Sequence, residues 1–320
     1  MKNFLFKRIL QTIPTLFIVA VIVFIITRML PGNPAAALLG PQASAEDVAA
    51  YTEKLGLNDP LLVQFFNYLK DLVTFDFGNS LAYNQPVLNL ILERFPNTII
   101  LAVTALIIAI VVGVFLGILA ARKQNTIIDY LVTTLSLVGV SMPIFWLGVM
   151  LVLLFSVDLG LFPASGMGVL SDGFGNFLKH LILPSITLAT IPTSQFARVM
   201  RSSMLETISQ EYIKTARSKG LKERVVIYKH ALKNALNPLI TVMGLQFALL
   251  LSGAVLTETI FSWPGIGLLI VDAIEKRDFI VVNYTIIFIA LIFILINLLV
   301  DVLYKAVNPK IKLGSNEGGS

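Results

Sequence analysis

The feature that most constrains this chain is a series of apolar runs with almost no charge. The first, "ILQTIPTLFIVAVIVFIITRML", covers residues 9–30. About 20 such residues are enough for a helix to cross the hydrocarbon of a bilayer. Lipid offers backbone amides no partner, so a crossing segment must satisfy itself as a helix or as part of a closed barrel. Barrel strands alternate apolar and polar residues instead of running continuously apolar, which leaves the helix. Six spans can be drawn: Ile9–Leu30, about Asn97–Ala121, Tyr130–Val157, Leu183–Met200, about Leu236–Thr257 and about Val281–Tyr304. Only 13% of the 320 residues are charged and 56% are apolar, whereas a soluble domain carries about a quarter charged residues. The chain thus reads as an all-α polytopic membrane protein with six transmembrane helices. The opening run follows Lys7-Arg8 as a signal peptide would, but it has no small-residue cleavage site and is expected to be retained.

The charges sort by side. Lys2, Lys7 and Arg8 precede the first span, and Arg122 and Lys123 follow the second. Nine basic residues against three acidic ones lie between Arg198 and Lys233, and Lys305, Lys310 and Lys312 follow the sixth span. The segment Pro31–Pro96 instead holds seven acids and three bases. Basic loops stay inside, so both termini and the 201–235 loop are expected in the cytoplasm. The net charge of +5 then reports topology, not nucleic-acid binding. Residues 31–96 are expected to form a small external cap on a single transmembrane domain, 1–312. Its pieces "AEDVAAYTEKLG" and "PLLVQFFNYLKDLV" have a helical look, and the second has apolar positions at 61, 62, 65, 66, 69 and 72 on one face. The Gly/Ser-rich tail 313–320 is expected to be disordered.

Several chemistries lack their residues. There is no phosphate-binding G-x-x-x-x-G-K-[ST] loop and no cysteine. His180 and His230 fall on opposite sides of the membrane and have no neighbouring metal-ligand set. The short G-M-G (166–168) and G-I-G (265–267) sequences read as turns. The spans hold few charges that could relay protons; Arg28, Glu258 and Asp301 sit near span ends. No enzyme constellation, cofactor or metal site is expected, and the energy for transport would have to come from another subunit.

Polar groups inside the membrane mark the weakest span. Ser185, Thr187, Thr190, Thr193, Ser194 and Gln195 surround Pro192 and have no use facing lipid. They read either as the wall of a polar pathway or as hydrogen bonds between helices. Gly113-x-x-x-Gly117 permits close helix approach, and Pro143 should kink the third span. The basic loop reads as helix, glycine, helix. Ser209 would cap a first helix containing Glu211. Tyr212, Ala216 and Lys219 fall on one stripe, and Gly220 would stop the helix in a left-handed turn. A second helix would run from Lys222 towards Asn234, before Pro238 at the entry to the fifth span. Such an elbow could pass force between a soluble partner and the bundle, or it could be a solvated basic loop at anionic headgroups.

The order of that loop, "EYIKTARSKGL" followed by "HALKNALNP", resembles the cytoplasmic signature of bacterial ABC importer permeases of the dipeptide/oligopeptide family. The general importer pattern of Glu-Ala-Ala, three residues and Gly falls on Lys214-Thr215-Ala216 and Gly220, so Ala216 and Gly220 match. Its acidic position does not, and Glu211 is only a nearby acid. "RILQTIPTLFIV", "LGLNDPLLVQFFNYL", "DFGNSL", "MPIFWLGVML", "LGLFPASG", "ETIFSWPGIG" and "VDVLYKAVNPKI" are similar to further family blocks, covering about residues 5–311. The resemblance implies a type I ABC importer permease architecture, with Glu211, Tyr212, Ala216, Arg217, Lys219 and Gly220 coupling to ATPases. It implies a homologous second permease subunit, two cytoplasmic ATPase subunits that bind ATP and Mg, and an external substrate-binding protein. The cargo would be dipeptides, oligopeptides or glutathione, with nickel or metallophores as an alternative. A stand-alone secondary transporter or channel is the reading of another class.

Overall fold

The computed structural model describes residues 2–29, 34–39, 42–54, 56–80 and 82–307. The tail 313–320, with Lys310 and Lys312, lies outside them. Thirteen α-helical segments and one two-stranded hairpin follow in chain order among the described residues. The N-terminal segments are α1 (Lys2–Met29), α2 (Pro34–Leu39), α3 (Ala45–Lys54), α4 (Leu61–Thr74), β1 (Asn79–Ser80), β2 (Gln85–Pro86) and α5 (Val87–Arg122). After them come α6 (Ile127–Ser141), α7 (Ile144–Leu151), α8 (Phe174–Ile208), α9 (Glu211–Ser218), α10 (Glu223–Val225), α11 (Leu232–Ile260), α12 (Ile266–Glu275) and α13 (Phe279–Val307).

Four helices among the described residues are long and apolar enough to cross a membrane: Leu10–Met29, Val87–Arg122, Glu223–Ile260 and Phe279–Val300. The third expected span is instead a bent pair, α6 with α7 and its π-helical continuation Val152–Asp158, and counts as a fifth if the pair forms one span. The break has a local cause. Proline pushes the residue before it out of helical space, and Met142 is extended at φ −78°, ψ 128°. The fourth expected span lies within the 35-residue α8, which runs on through Pro184 and Pro192. Its six Ser, Thr and Gln side chains lower its hydropathy below that of the others.

The chain divides into two compact units, residues 1–101, 148–184 and 251–294 in the first and 102–147, 185–250 and 295–320 in the second. In the first, Phe77, Val87, Leu90, Ile91, Ile266, Leu269, Ala273, Val281 and Phe288 form one buried cluster. Ala20, Val23, Phe24, Tyr68 and Ile287 form another. Helix α4 joins the second cluster through half of the positions in its apolar pattern, 65, 69 and 72. Gln64 and Tyr68 are buried with Phe65, Leu69 and Leu72 alongside, whereas Leu61, Leu62 and Phe66 are 64%, 72% and 67% exposed. The helix is apolar on both sides, so periodicity alone could not tell which side packs. The hairpin pairs Asn79 with Pro86 and Ser80 with Gln85. The buried Ser80 hydroxyl donates to Asp278 Oδ2 at the start of α13, 2.5 Å away.

In the second unit the two glycines of the G-x-x-x-G sequence set the packing. A Cβ on Gly113 would lie 2.7 Å from Phe196 Cβ, and one on Gly117 would lie 2.6 Å from the Ala197 carbonyl oxygen and from Met200 Cβ. Helices α5 and α8 therefore touch backbone to backbone, the geometry small residues allow in membranes. Gly117→Val should force them apart at a cost of about 1–3 kcal/mol. Melting of the detergent-purified variant checks this, and a shift under about 2 °C would contradict the contact.

Candidate functional site

The elbow is built as expected in outline and differently in detail. Helix α9 is capped by Gln210 and receives no side-chain cap bond; the Ser209 hydroxyl donates to the Glu206 carbonyl instead. Gly220 has φ +74° with open space around it, so its conformation and not crowding calls for glycine there. The chain then returns through α10 and a π turn, Val226–Ala231. The return helix does not stop near Asn234. It continues as α11 through Pro238 to Ile260, and residues 223–260 form a single span-length helix. Pulling on the elbow therefore pulls directly on a membrane helix.

The elbow has a core of its own. Ile213 and Ala216 are buried, as are Val226, Ile227 and Ala231 on the return. The Asn234 amide donates to the Tyr212 hydroxyl at 2.7 Å, and Arg217 pairs with both oxygens of Glu223. Glu211 pairs with Lys214, but both side chains are exposed and such a pair contributes little. The Arg122 guanidinium reaches the Tyr228 hydroxyl at 3.4 Å. Tyr212, Glu211, Arg217, Lys219 and Gly220 are exposed, while Ala216 is buried. Exposed Leu221, Val225 and Tyr228 add an apolar surface ringed by Lys219, Lys222 and Arg224.

The polar residues of α8 divide by environment. Ser185, Thr187 and Ser194 are buried; Thr190, Thr193 and Gln195 are half-buried. The Thr190 and Ser194 hydroxyls donate back to the carbonyls of Ile186 and Thr190, and both side chains lie against Gly139 of α6. Gln195 Oε1 accepts from Gln246 Nε2 of α11 at 2.9 Å. Ser185 Oγ is buried without a partner among the described residues. Neither histidine belongs to a metal-holding group among the described residues.

Two polar arrangements escaped sequence reasoning. Asp129, almost fully buried, accepts from Arg201 Nη2 at 2.7 Å and also from Arg201 Nε, and takes the Asn125 amide at 3.0 Å. In the first unit, Glu258 is fully buried. Its Oε1 accepts from the Thr98 hydroxyl at 2.6 Å, and its Oε2 takes the amides of Gly267 and Leu268 at 2.7 and 3.1 Å. The Thr98 oxygen in turn accepts the Ile266 amide at 2.9 Å. The carboxylate thus closes the N-terminus of α12, where unpaired amides and the helix dipole favour an acceptor. A Cβ on Gly265 would overlap the Glu258 carboxylate. Trp263 Nε1 donates to the Asn97 carbonyl, and Asn97 Nδ2 to that of Pro264. The sequence signal was "ETIFSWPGIG", in which an acid precedes a Pro-Gly turn by a few residues.

Comparison with known proteins follows this geometry. Residues 113–313 match the family described as binding-protein-dependent transport system inner membrane component, and residues 1–102 match its N-terminal membrane component. The chain is 47% identical to the dipeptide transport system permease protein DppB of Alkalihalophilus pseudofirmus, over 98% of this chain and 100% of that one. It is 45% identical to the glutathione transport system permease protein GsiC of Salmonella typhimurium, over 98% and 99%. Among solved structures, the inward-facing MetNI methionine ABC transporter shares the fold with a TM-score of 0.57 at 18% identity, covering 69% of this chain and 97% of that one.

Proposed function

The chain belongs to the binding-protein-dependent transport system inner membrane component family and is a permease subunit of an ABC importer, a multi-pass membrane protein; from that premise we propose that it carries dipeptides, oligopeptides or glutathione, driven by ATPases gripping its elbow. DppB and GsiC support the cargo class, being named for dipeptide and glutathione transport. The single observation that carries the coupling is the elbow's construction. It is a self-packed hairpin with a basic-rimmed apolar surface, continuous with a membrane helix. Two cytoplasmic ATPases bind ATP and Mg; this subunit pairs with a homologous permease, and an external binding protein delivers the cargo. Both termini and the elbow lie in the cytoplasm, and Ser185, Thr187, Thr190, Thr193, Ser194 and Gln195 contribute to the pathway wall.

Enlarging Ala216 would disturb the elbow's own core as well as any docking, so a surface change is the cleaner test. Leu221 is 40% exposed and makes no polar contact. In the importer reconstituted with its ATPases, Leu221→Asp should reduce peptide uptake at least about tenfold, since it replaces an apolar contact of the docking surface with a charge of the opposite sign to its basic neighbours. The chain's own melting should barely move. Undiminished uptake in that variant, or flux through the chain alone without ATP, would overturn the reading.

A further inference from the structure

We propose that the external-cap region of the first unit holds a binding site for a small zwitterion, a molecule with a free ammonium and a free carboxylate such as a dipeptide. The site is a cavity of about 310 Å³ walled by the end of α1, the α3–α4 region, residues 76–78 and the start of α13. That volume sits at the small end of ligand pockets. Charges of both signs line it: Arg28 and Lys54, and Asp71 and Asp76. None of the four is in an ion pair among the described residues. Burial, with Asp76 close by, holds the Asp71 carboxyl above its usual range, against the opposing pull of Lys70 and Tyr284.

The uncharged wall points to the same ligand. Gln64 is 7% exposed, and its Nε2 donates to the carbonyls of Leu57 and Asp59 at 3.1 and 2.7 Å. Those two acceptors fix which end is nitrogen, and leave Oε1 buried without a donor. One turn further along the same face of α4, the Tyr68 hydroxyl donates to Asn283 Oδ1 at 3.0 Å. That bond turns the Asn283 amide nitrogen into a free donor, suited to a peptide carbonyl. The aromatic rings of Phe24, Tyr68, Phe77 and Tyr284 are mutually packed, with Phe77 and Tyr284 stacked at 4.7 Å. They give the pocket a stiff wall, and the Arg28 guanidinium lies over Phe24 at 5.4 Å. Arg28 and Lys54 would take the carboxylate, Asp71 and Asp76 the ammonium, and the Asn283 amide the peptide carbonyl between them.

The inference extends the proposed cargo class to a second place on the chain, but its test needs no ATPase, so the two readings fail separately. The full chain in lipid nanodiscs is titrated calorimetrically with Ala-Ala, N-acetyl-Ala-Ala and Ala-Ala amide. Ala-Ala should bind, and each singly capped peptide at least about tenfold more weakly, because each loses one charge-assisted contact. Arg28→Gln or Lys54→Gln should abolish the discrimination against the amide while keeping that against the acetyl cap. Asp71→Asn should do the reverse. A merely structural role would not produce this crossed pattern. Absence of Ala-Ala binding, equal binding of all three peptides, or unchanged discrimination in the variants would overturn the site.

Discussion

Glu258→Ala should leave the chain barely able to fold, while Glu258→Gln should cost about half as much. The alanine variant removes the acceptor of three donors at once: the Thr98 hydroxyl and the Gly267 and Leu268 amides. Each buried donor left unpaired costs about 1–3 kcal/mol, and the emptied volume adds to that. The expected loss is on the order of 4 kcal/mol, in the range reserved for specific failures. Glutamine keeps one oxygen, which can face the two α12 amides. Its nitrogen can donate to Thr98, whose oxygen can accept both it and the Ile266 amide. The Thr98 hydroxyl, however, loses the acceptor it donates to, and with the missing charge beside a helix N-terminus this makes the glutamine loss about 2 kcal/mol. Melting temperature and yield of the detergent-solubilised protein read both variants. An alanine variant within about 2 °C of the parent would show that Glu258 does not hold α12, as would a glutamine variant as poor as alanine.

The same site shows where sequence reading stopped. Long apolar runs placed the membrane portions of α1, α5, α11 and α13, because lipid leaves a backbone so few choices, although α1 and α5 begin seven and ten residues ahead of the expected spans. The elbow was legible from its order and from Gly220, since a left-handed turn selects its residue. Three features were not legible. Glu258 looked like a span-end charge, because nothing local says that residues 97–98 and 265–268 converge on it. Helix α12 hid in what read as a loop of turns, its start marked by Gly265 where a Ser or Asp would be expected. Which side of α4 is buried depends on the positions of α1 and α13, and α4 offers both of its sides as apolar. Ala216 carries a related lesson. The resemblance makes it a coupling residue, yet its side chain is buried, while Leu221, Val225 and Tyr228 are exposed.

The elbow must also be held against the membrane helices if a pull on it is to do anything, and the Asp129–Arg201 pair is placed to do this. Arg201 lies on α8 seven residues before its end, just ahead of α9. Asp129 sits in the first turn of α6 and also fixes the Asn125 amide of the preceding turn. The Asp129 side chain is 3% exposed and that of Arg201 29%. Breaking a buried pair from one side strands the other charge and costs 3–5 kcal/mol; Arg201's partial exposure puts Arg201→Met at about 3 kcal/mol. Adding Asp129→Asn to that variant should recover stability, because the amide still accepts from Asn125 and no longer buries a lone charge. The double variant should melt above Arg201→Met, the opposite of what two independent losses would give. If it melts lower, the pair is a dispensable surface contact and the stiffness between bundle and elbow has another origin. If it melts higher, the reconstituted importer should still hydrolyse ATP in both variants. Its uptake per ATP should then stay low even in the stabilised double variant, because a neutral amide facing a methionine restores the fold without restoring the link.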